Sequence, residues 1–149
     1  MRISIGSDHH GVGIRHKLID VIAHLGHQVI DHGPKDEKPE PVDYPDIAGE
    51  VAREVSTGKV DRGVLICGTG IGMCIAANKF RGIRAATIVD ELTAEISRRH
   101  NDLNVLCLSG DLLSEHAAEQ IVKVWLNTPF DDDRHSRRIE KIIEFENSF

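Results

Sequence analysis

The chain has few aromatic residues and no excess of positive charge. Only 4% of its 149 residues are Phe, Trp or Tyr, and its formal net charge at pH 7 is −6. Nucleic-acid-binding proteins usually carry a basic stripe or aromatic platforms, so this composition argues against a nucleic-acid partner. No apolar run approaches the length of a membrane span, which argues against a membrane protein.

Cysteine is also scarce, and its pattern excludes two further classes. The three cysteines are an odd number, and their spacing matches neither a disulfide framework nor a zinc site. The first residues follow a strand pattern rather than that of a signal peptide. We therefore expect a cytoplasmic protein with reduced thiols and no bound metal.

Strand and helix patterns alternate along the chain, which at this length indicates one domain over residues 1–149. Strands are predicted at 2–7, 28–31, 62–67, 83–89 and 104–108, and helices at 12–25, 47–55, 71–80, 92–100, 116–126 and 134–145. The strands are apolar without alternation, as in a parallel sheet covered on both faces. The predicted fold class is therefore α/β: a Rossmann-like three-layer α/β/α sandwich with a five-stranded parallel sheet and an extra C-terminal helix.

The most informative segment is the glycine-rich turn that follows the apolar strand ending in Cys67. Its three glycines, Gly68, Gly70 and Gly72, let backbone N–H groups converge on an anion. A thiol at the mouth of such a turn faces the positive end of the next helix, which favours the thiolate. The segment is neither a Walker loop nor a dinucleotide fingerprint, because its spacing differs from both. Taken alone, it is equally consistent with a core cysteine beside an ordinary turn.

Further motifs favour a functional role for this turn. They are Asp8-His9-His10-Gly11, Asp43-Tyr44-Pro45, Ala76-Ala77-Asn78-Lys79, Arg99-His100-Asn101-Asp102 and Arg134-His135-Ser136-Arg137-Arg138. In this order and at this spacing, the set closely resembles ribose-5-phosphate isomerases of the B type. That family also contains allose-6-phosphate and galactose-6-phosphate isomerases. The resemblance extends from Arg2 to about Ile143.

The resemblance implies a reaction and a role for each matching residue. The implied reaction is the interconversion of ribose 5-phosphate and ribulose 5-phosphate in the pentose phosphate pathway, through an enediolate and without a cofactor. Cys67 matches the base that transfers the proton, and His100 matches the residue that opens the sugar ring. The anion hole for the enediolate corresponds to Gly68, Thr69, Gly70, Ile71 and Gly72, where Thr69 can also bind a substrate oxygen. Substrate contacts correspond to Asp8, His9, Tyr44, Asn101, Arg134 and Arg138.

The final helix carries the implied phosphate site. Arg134 and Arg138 are four residues apart and share one face of the helix, an arrangement that suits a phosphate dianion. In the resembled family this helix crosses a dimer interface, and the strand order is 2-1-3-5-4. The resemblance therefore implies a homodimer, with a tetramer left open, and a phosphate site shared between two chains.

Asp111 departs from the family pattern, which usually has a phosphate-binding arginine at this position, eleven residues after the ring-opening histidine. A carboxylate there would repel phosphate. Either the loop turns Asp111 away, or a cation such as Arg98 or Arg99 compensates, or the substrate differs. An aldohexose-6-phosphate isomerase therefore stays open as an alternative. A non-catalytic sugar-phosphate-binding module and a flavodoxin-like nucleotide module are the alternatives from other functional classes. His10 is expected to be structural, Cys74 and Cys107 to be core residues, and His135 to be a weaker candidate than the two arginines.

Overall fold

The computed structural model describes residues 1–36 and 40–148, and within them five strands alternate with six helices. The strands are β1 (Arg2–Ser7), β2 (Gln28–Asp31), β3 (Arg62–Cys67), β4 (Ala85–Thr87) and β5 (Val105–Ser109). The helices are α1 (Val12–His24), α2 (Tyr44–Ser56), α3 (Ile71–Ala77), α4 (Glu91–Asn101), α5 (Glu115–Asn127) and α6 (Arg134–Asn147).

The five strands form one parallel sheet in the order β2-β1-β3-β5-β4. This confirms the parallel sheet predicted from the apolar strands and the strand order implied by the resemblance. All the strands end at the same edge of the sheet, which we call the carboxyl edge; the opposite edge is the amino edge. Folds of this kind bind their ligands beyond the carboxyl edge.

Successive residues of β3 contribute to two separate cores, because neighbouring side chains of a strand point to opposite faces. Val64 and Ile66 pack with apolar residues of α1, α4 and α5 on one face of the sheet. Leu65 and Cys67 pack with residues of α2 and α3 on the other face. The predicted three-layer sandwich is therefore confirmed, and Cys67 lies on the α2–α3 side of the sheet.

The predicted and observed bounds differ most in α2, α3 and β4. Helix α2 begins at Tyr44 rather than at residue 47, because Pro45 occupies its first turn, where a missing N–H costs nothing. Helix α3 ends at Ala77 because the side chain of Asn78 bonds both the carbonyl and the N–H of Ala85. Strand β4 is shorter than predicted because it is an edge strand that pairs only with β5. Residues 37–39 of the predicted loop 33–43 lie outside the described residues.

None of the helices in the described ranges combines the length and the apolar character needed to cross a bilayer. The same residues contain no group of three or more His, Cys, Asp or Glu side chains suited to holding a metal ion.

A buried carboxylate ties α2 to β1 and to the residue that follows β2. Glu54 is 8% exposed, and its carboxylate accepts hydrogen bonds from Ser4 Oγ and His32 Nε2, each at 2.9 Å. Lys59 supplies a third bond to the same carboxylate. Burial alone would raise the pKa of Glu54, but the bonds from Lys59, His32 and Ser4 outweigh it and lower the pKa to about 2.

We expect Glu54→Gln to destabilise the fold at neutral pH, and the loss to shrink in acid. Since the folded state lowers the pKa of Glu54, the charged carboxylate stabilises the protein fully above pH about 4.5, and that contribution is lost as the pH falls towards about 2. The difference in unfolding free energy at pH 7 should be about 2–3 kcal/mol. Urea denaturation from pH 7 to pH 3 measures it. Glu50→Gln, which removes an exposed partner of His32, is the matched control, and an equal effect of both variants would contradict the prediction.

Candidate active site

The glycine turn after β3 holds the Cys67 thiol at the carboxyl edge. The N–H of Gly70 donates to Cys67 Sγ at 3.2 Å, and the N–H of Ile71 donates to Thr69 Oγ1 at 3.3 Å. Gly70 has φ of 78°, and a Cβ there would lie 2.9 Å from Thr87 and 3.1 Å from the backbone of Leu108. Only glycine fits this position, so the turn that brings its N–H to the thiol depends on it.

The end of β1 lies beside this turn. The N–H of Asp8 donates to the carbonyl of Ile66 at 3.1 Å, which joins the end of β1 to the end of β3. The carboxylate of Asp8 accepts the N–H of His10 at 2.9 Å, and the ring of His9 accepts the N–H of Val42 at 3.3 Å. Two of the predicted substrate contacts therefore lie at the same edge as Cys67.

Tyr44 closes another side of the glycine turn. Its ring lies so close to Gly72 that a Cβ there would come within 2.7 Å of two ring atoms. Gly72 is therefore needed for this contact, and 41% of Tyr44 stays exposed. The structure thus brings together nine predicted site residues, which we call the carboxyl-edge cluster: Asp8, His9, Tyr44, Cys67, Gly68, Thr69, Gly70, Ile71 and Gly72.

The other predicted site residues lie at the opposite edge. Helix α4 starts near the carboxyl edge and ends at the amino edge, where the carbonyl of Asn104 accepts the N–H of Gly63 at 2.9 Å. Near the end of α4, the His100 ring stacks on the His135 ring of α6, with centroids 4.3 Å apart and planes at 8°. We call His100, His135 and their predicted neighbours on α4 and α6 the amino-edge cluster: His100, Asn101, Arg134, His135 and Arg138.

His135 is more important to this cluster than its sequence context indicated. It is 6% exposed, and burial together with the charges of His100, Arg134 and Arg138 lowers its pKa. The buried His135 ring therefore packs against the ring of His100. The sequence does hold one sign of this role, because positions 135, 139 and 142 form a helical stripe of His135, Ile139 and Ile142.

The two clusters cannot contact one small ligand within the same chain. From Gly63 at the amino edge to Cys67 at the carboxyl edge, β3 advances about 13 Å at 3.3 Å per residue. Cys67 also lies on the α2–α3 face of the sheet, whereas α4 packs on the other face. The sheet itself therefore separates His100 from Cys67.

Asp111 is turned towards neither of the cations considered from the sequence. Arg98 pairs with Asp102 at 2.8 Å and Arg99 with Asp131 at 2.8 Å, so neither arginine pairs with Asp111, and of the three alternatives this one is not supported within the chain. The partner of Asp111 is instead His10, at 3.0 Å. His10 therefore lies at the carboxyl edge, beside Asp8 and His9, where it pairs with Asp111.

The two remaining thiols form a pair behind the glycine turn. Cys107 is buried in the core and Cys74 is half-buried. A hydrogen bond with Cys107 lowers the pKa of Cys74 to about 6, and this pairing together with burial raises the pKa of Cys107. Cys74 is therefore not fully buried, unlike the core residue predicted, and its lowered pKa makes it a second expected target for thiol reagents.

Comparisons with known proteins agree with this geometry. Residues 3–142 match the family model described as Ribose/Galactose Isomerase. Ribose-5-phosphate isomerase B of Escherichia coli is 41% identical over 97% of this chain and 96% of its own length. The structure of ribose-5-phosphate isomerase B from Clostridium thermocellum superposes with a TM-score of 0.95 at 44% identity, covering 99% of both chains. That of the Mycoplasma genitalium enzyme, with bound ribulose-5-phosphate, gives 0.94 at 40% identity, covering 99% of this chain and 97% of the other. This chain belongs to the ribose/galactose isomerase family.

Proposed function

We propose that this protein interconverts ribose 5-phosphate and ribulose 5-phosphate. The observation that carries the proposal is the Cys67 thiol at the end of β3, bonded by the N–H of Gly70 and followed by a glycine turn. This arrangement sets a proton-transferring group next to backbone donors. A relative with the same fold and 40% identity has been solved with ribulose-5-phosphate bound.

In the proposed mechanism, Cys67 moves a proton between two neighbouring carbons. The thiolate removes the proton from C2 of the open-chain aldose, and the electron pair forms the C1–C2 double bond of an enediolate. Backbone N–H groups of residues 68–72 stabilise the negative oxygen that develops. The Cys67 thiol then returns its proton to C1, while the proton of the C2 hydroxyl passes to the negative oxygen on C1. C2 thereby becomes the carbonyl carbon and C1 a CH2OH group, which gives the ketose.

A second chain completes the proposed site. Since the sheet separates the two clusters, a sugar at Cys67 needs His100, Asn101, Arg134 and Arg138 from another copy. Exposed apolar side chains support such an interface: Ile71 and Ile75 of α3 are 56% and 59% exposed, and Phe145 of α6 is 65% exposed. We therefore propose a homodimer with two shared sites, in which the partner's arginines hold the phosphate.

The direct test is an isomerisation assay with ribose 5-phosphate, allose 6-phosphate and galactose 6-phosphate on the purified protein. We expect ketose formation from ribose 5-phosphate with the highest kcat/KM of the three. A higher kcat/KM for a hexose phosphate would assign that sugar as the substrate and leave the proposed isomerisation unchanged. Absence of turnover with all three, in protein that still binds them, would contradict the proposed function and favour a binding module.

Asp111 is the observation that favours an aldohexose 6-phosphate as a second candidate substrate. Its carboxylate makes the carboxyl edge more negative than an arginine would, so the phosphate has to lie away from it. A longer sugar places its phosphate farther from the reacting carbons. The same assay distinguishes the two candidates.

If His100 opens the sugar ring, His100→Ala will impair cyclising substrates far more than one that stays open-chain. Ribose 5-phosphate needs an acid or base to open its ring, whereas erythrose 4-phosphate cannot close the same ring. We expect a loss of at least ~10²-fold in kcat with the first and a much smaller loss with the second. His116→Ala, on the exposed start of α5, is the matched control. Equal losses with both sugars would rule out the ring-opening role.

A further inference from the structure

Asp111 has a fixed position relative to Cys67. The turn after β5 is bonded to the glycine turn three times: Gly110 N–H donates to the Cys67 carbonyl at 2.7 Å, Asp111 N–H to the Gly68 carbonyl at 3.1 Å, and Ser109 Oγ to the same carbonyl at 2.6 Å. The backbone of Asp111 therefore cannot move without the loop that holds the thiol. Its side chain belongs to the wall of the carboxyl-edge cluster.

The two carboxylate oxygens of Asp111 have different surroundings. Oδ1 accepts a hydrogen bond from His10 Nδ1 at 3.0 Å. Oδ2 faces the glycine turn so closely that a Cβ on Gly68 would lie 2.9 Å from it. In the described part of the chain Oδ2 accepts no hydrogen bond, and half of the side chain is exposed.

His10 is itself held in place on both sides. Its N–H donates to the carboxylate of Asp8 at 2.9 Å, and a Cβ on Gly110 would come within 2.5 Å of its carbonyl oxygen. The ring of His10 therefore reaches Asp111 from a rigid backbone. Because it bonds one oxygen only, it orients the carboxylate and leaves the other oxygen pointing to the site.

A free carboxylate oxygen beside a sugar-binding turn has two effects on a ligand. It accepts a hydrogen bond from a hydroxyl group, and a bond to a charged acceptor is stronger than a neutral one. It also repels a phosphate dianion within a few ångströms. Among the described residues Asp111 pairs with His10 and with no arginine, and Arg98 and Arg99 are paired elsewhere.

We propose that Asp111 is a specificity-determining residue of this site, with His10 as its positioning residue. Oδ2 accepts a hydrogen bond from a hydroxyl group of the sugar on the Gly68 side of the site, and its negative charge repels the phosphate from that side. The substrate is thereby oriented with its phosphate towards the partner's arginines. The identity of the sugar in this inference rests on the proposed function. The preference of the Asp111 side for a hydroxyl group over a phosphate does not.

The test separates the charge of Asp111 from its hydrogen-bonding oxygen. Asp111→Asn removes the charge and keeps an oxygen acceptor, whereas Asp111→Ala removes both. The probes are inorganic phosphate and ribitol, a neutral polyol, titrated into the assembled protein by calorimetry or NMR. Glu115→Gln, an exposed carboxylate in the first turn of α5, is the control for a general change in charge.

We expect both Asp111 variants to bind inorganic phosphate ~3–10-fold more tightly than the unmodified protein. Ribitol binding should weaken ~10-fold in Asp111→Ala and by less than about threefold in Asp111→Asn. Glu115→Gln should change neither probe. Unchanged phosphate and ribitol affinities in both Asp111 variants would overturn the proposal. An equal change in phosphate affinity in Glu115→Gln would also contradict it, because the effect would then come from the net charge of the protein and not from the position of Asp111.

A double-mutant cycle tests the role of His10. His10→Ala should weaken ribitol binding in the unmodified protein and have no further effect in Asp111→Ala, because it acts through that carboxylate. Additive losses would overturn the positioning role. Since these titrations need no turnover, a protein that fails to isomerise ribose 5-phosphate can still confirm or contradict the specificity assigned to Asp111.

Discussion

Replacing Cys67 with alanine is expected to abolish isomerisation of ribose 5-phosphate and to leave the fold and sugar-phosphate binding intact. The variant removes the group that carries the proton. Residue 71, four positions after Cys67, is isoleucine, so this position supplies no carboxylate that could replace the thiol. The loss in kcat should be at least ~10²-fold, the effect typical of removing a general base. Steady-state kinetics measure it, and circular dichroism together with calorimetric titration of ribose 5-phosphate checks that folding and binding persist.

Cys74→Ala is the matched control for the loss of a thiol. Cys74 lies on the neighbouring helix α3, and a hydrogen bond with Cys107 lowers its pKa to about 6, so we expect it to react with alkylating reagents as well. We expect Cys74→Ala to keep its activity and to remain sensitive to iodoacetamide, with substrate protecting Cys67. Mass spectrometry assigns the modified residue. Near-native turnover in Cys67→Ala, or protection of Cys74 alone, would contradict the role of Cys67.

The sequence predicted most of the fold, because the fold depends on local patterns. The bounds of β1, β2 and β3 agree residue for residue with the predicted 2–7, 28–31 and 62–67. Each of these strands is a short apolar run between polar or glycine-containing turns, which leaves little choice of boundary. The errors lie where side chains act across the chain, as at Asn78, whose bonds to Ala85 end α3 early.

The arrangement of the candidate site was harder to predict, because it depends on contacts between distant residues. His10 and Asp111 are 101 positions apart, and no periodicity reveals their bond. The stack of His100 on His135 likewise joins two helices that share only a small contact. One part was within reach of sequence reasoning: a helix that leads into a parallel strand ends at the amino edge, so His100 had to lie far from Cys67.

Because the two clusters lie at opposite edges of the sheet, we expect inactive variants of the two clusters to complement each other in a mixed dimer. Arg138→Ala removes a guanidinium of the amino-edge cluster and Cys67→Ala removes the thiol of the carboxyl-edge cluster, so each variant alone should be almost inactive. If sites are shared, a mixed dimer has one site with both defects and one with neither. Mixing the two variants as dissociated subunits and reassembling them should therefore recover activity approaching half of the unmodified level per mixed dimer.

Three further mixtures make the complementation test decisive. Cys67→Ala combined with Asp8→Ala should recover nothing, because both changes fall in the carboxyl-edge cluster and every site of the mixed dimer then carries one of them. His100→Ala combined with Arg138→Ala should also recover nothing, since both lie in the amino-edge cluster. Cys67→Ala combined with His100→Ala should recover activity to the same extent as Cys67→Ala combined with Arg138→Ala. Mixed dimers are quantified with two different affinity tags. If they form and the Cys67→Ala and Arg138→Ala pair stays inactive, thiol and arginine serve the same chain's site, and the shared site is wrong.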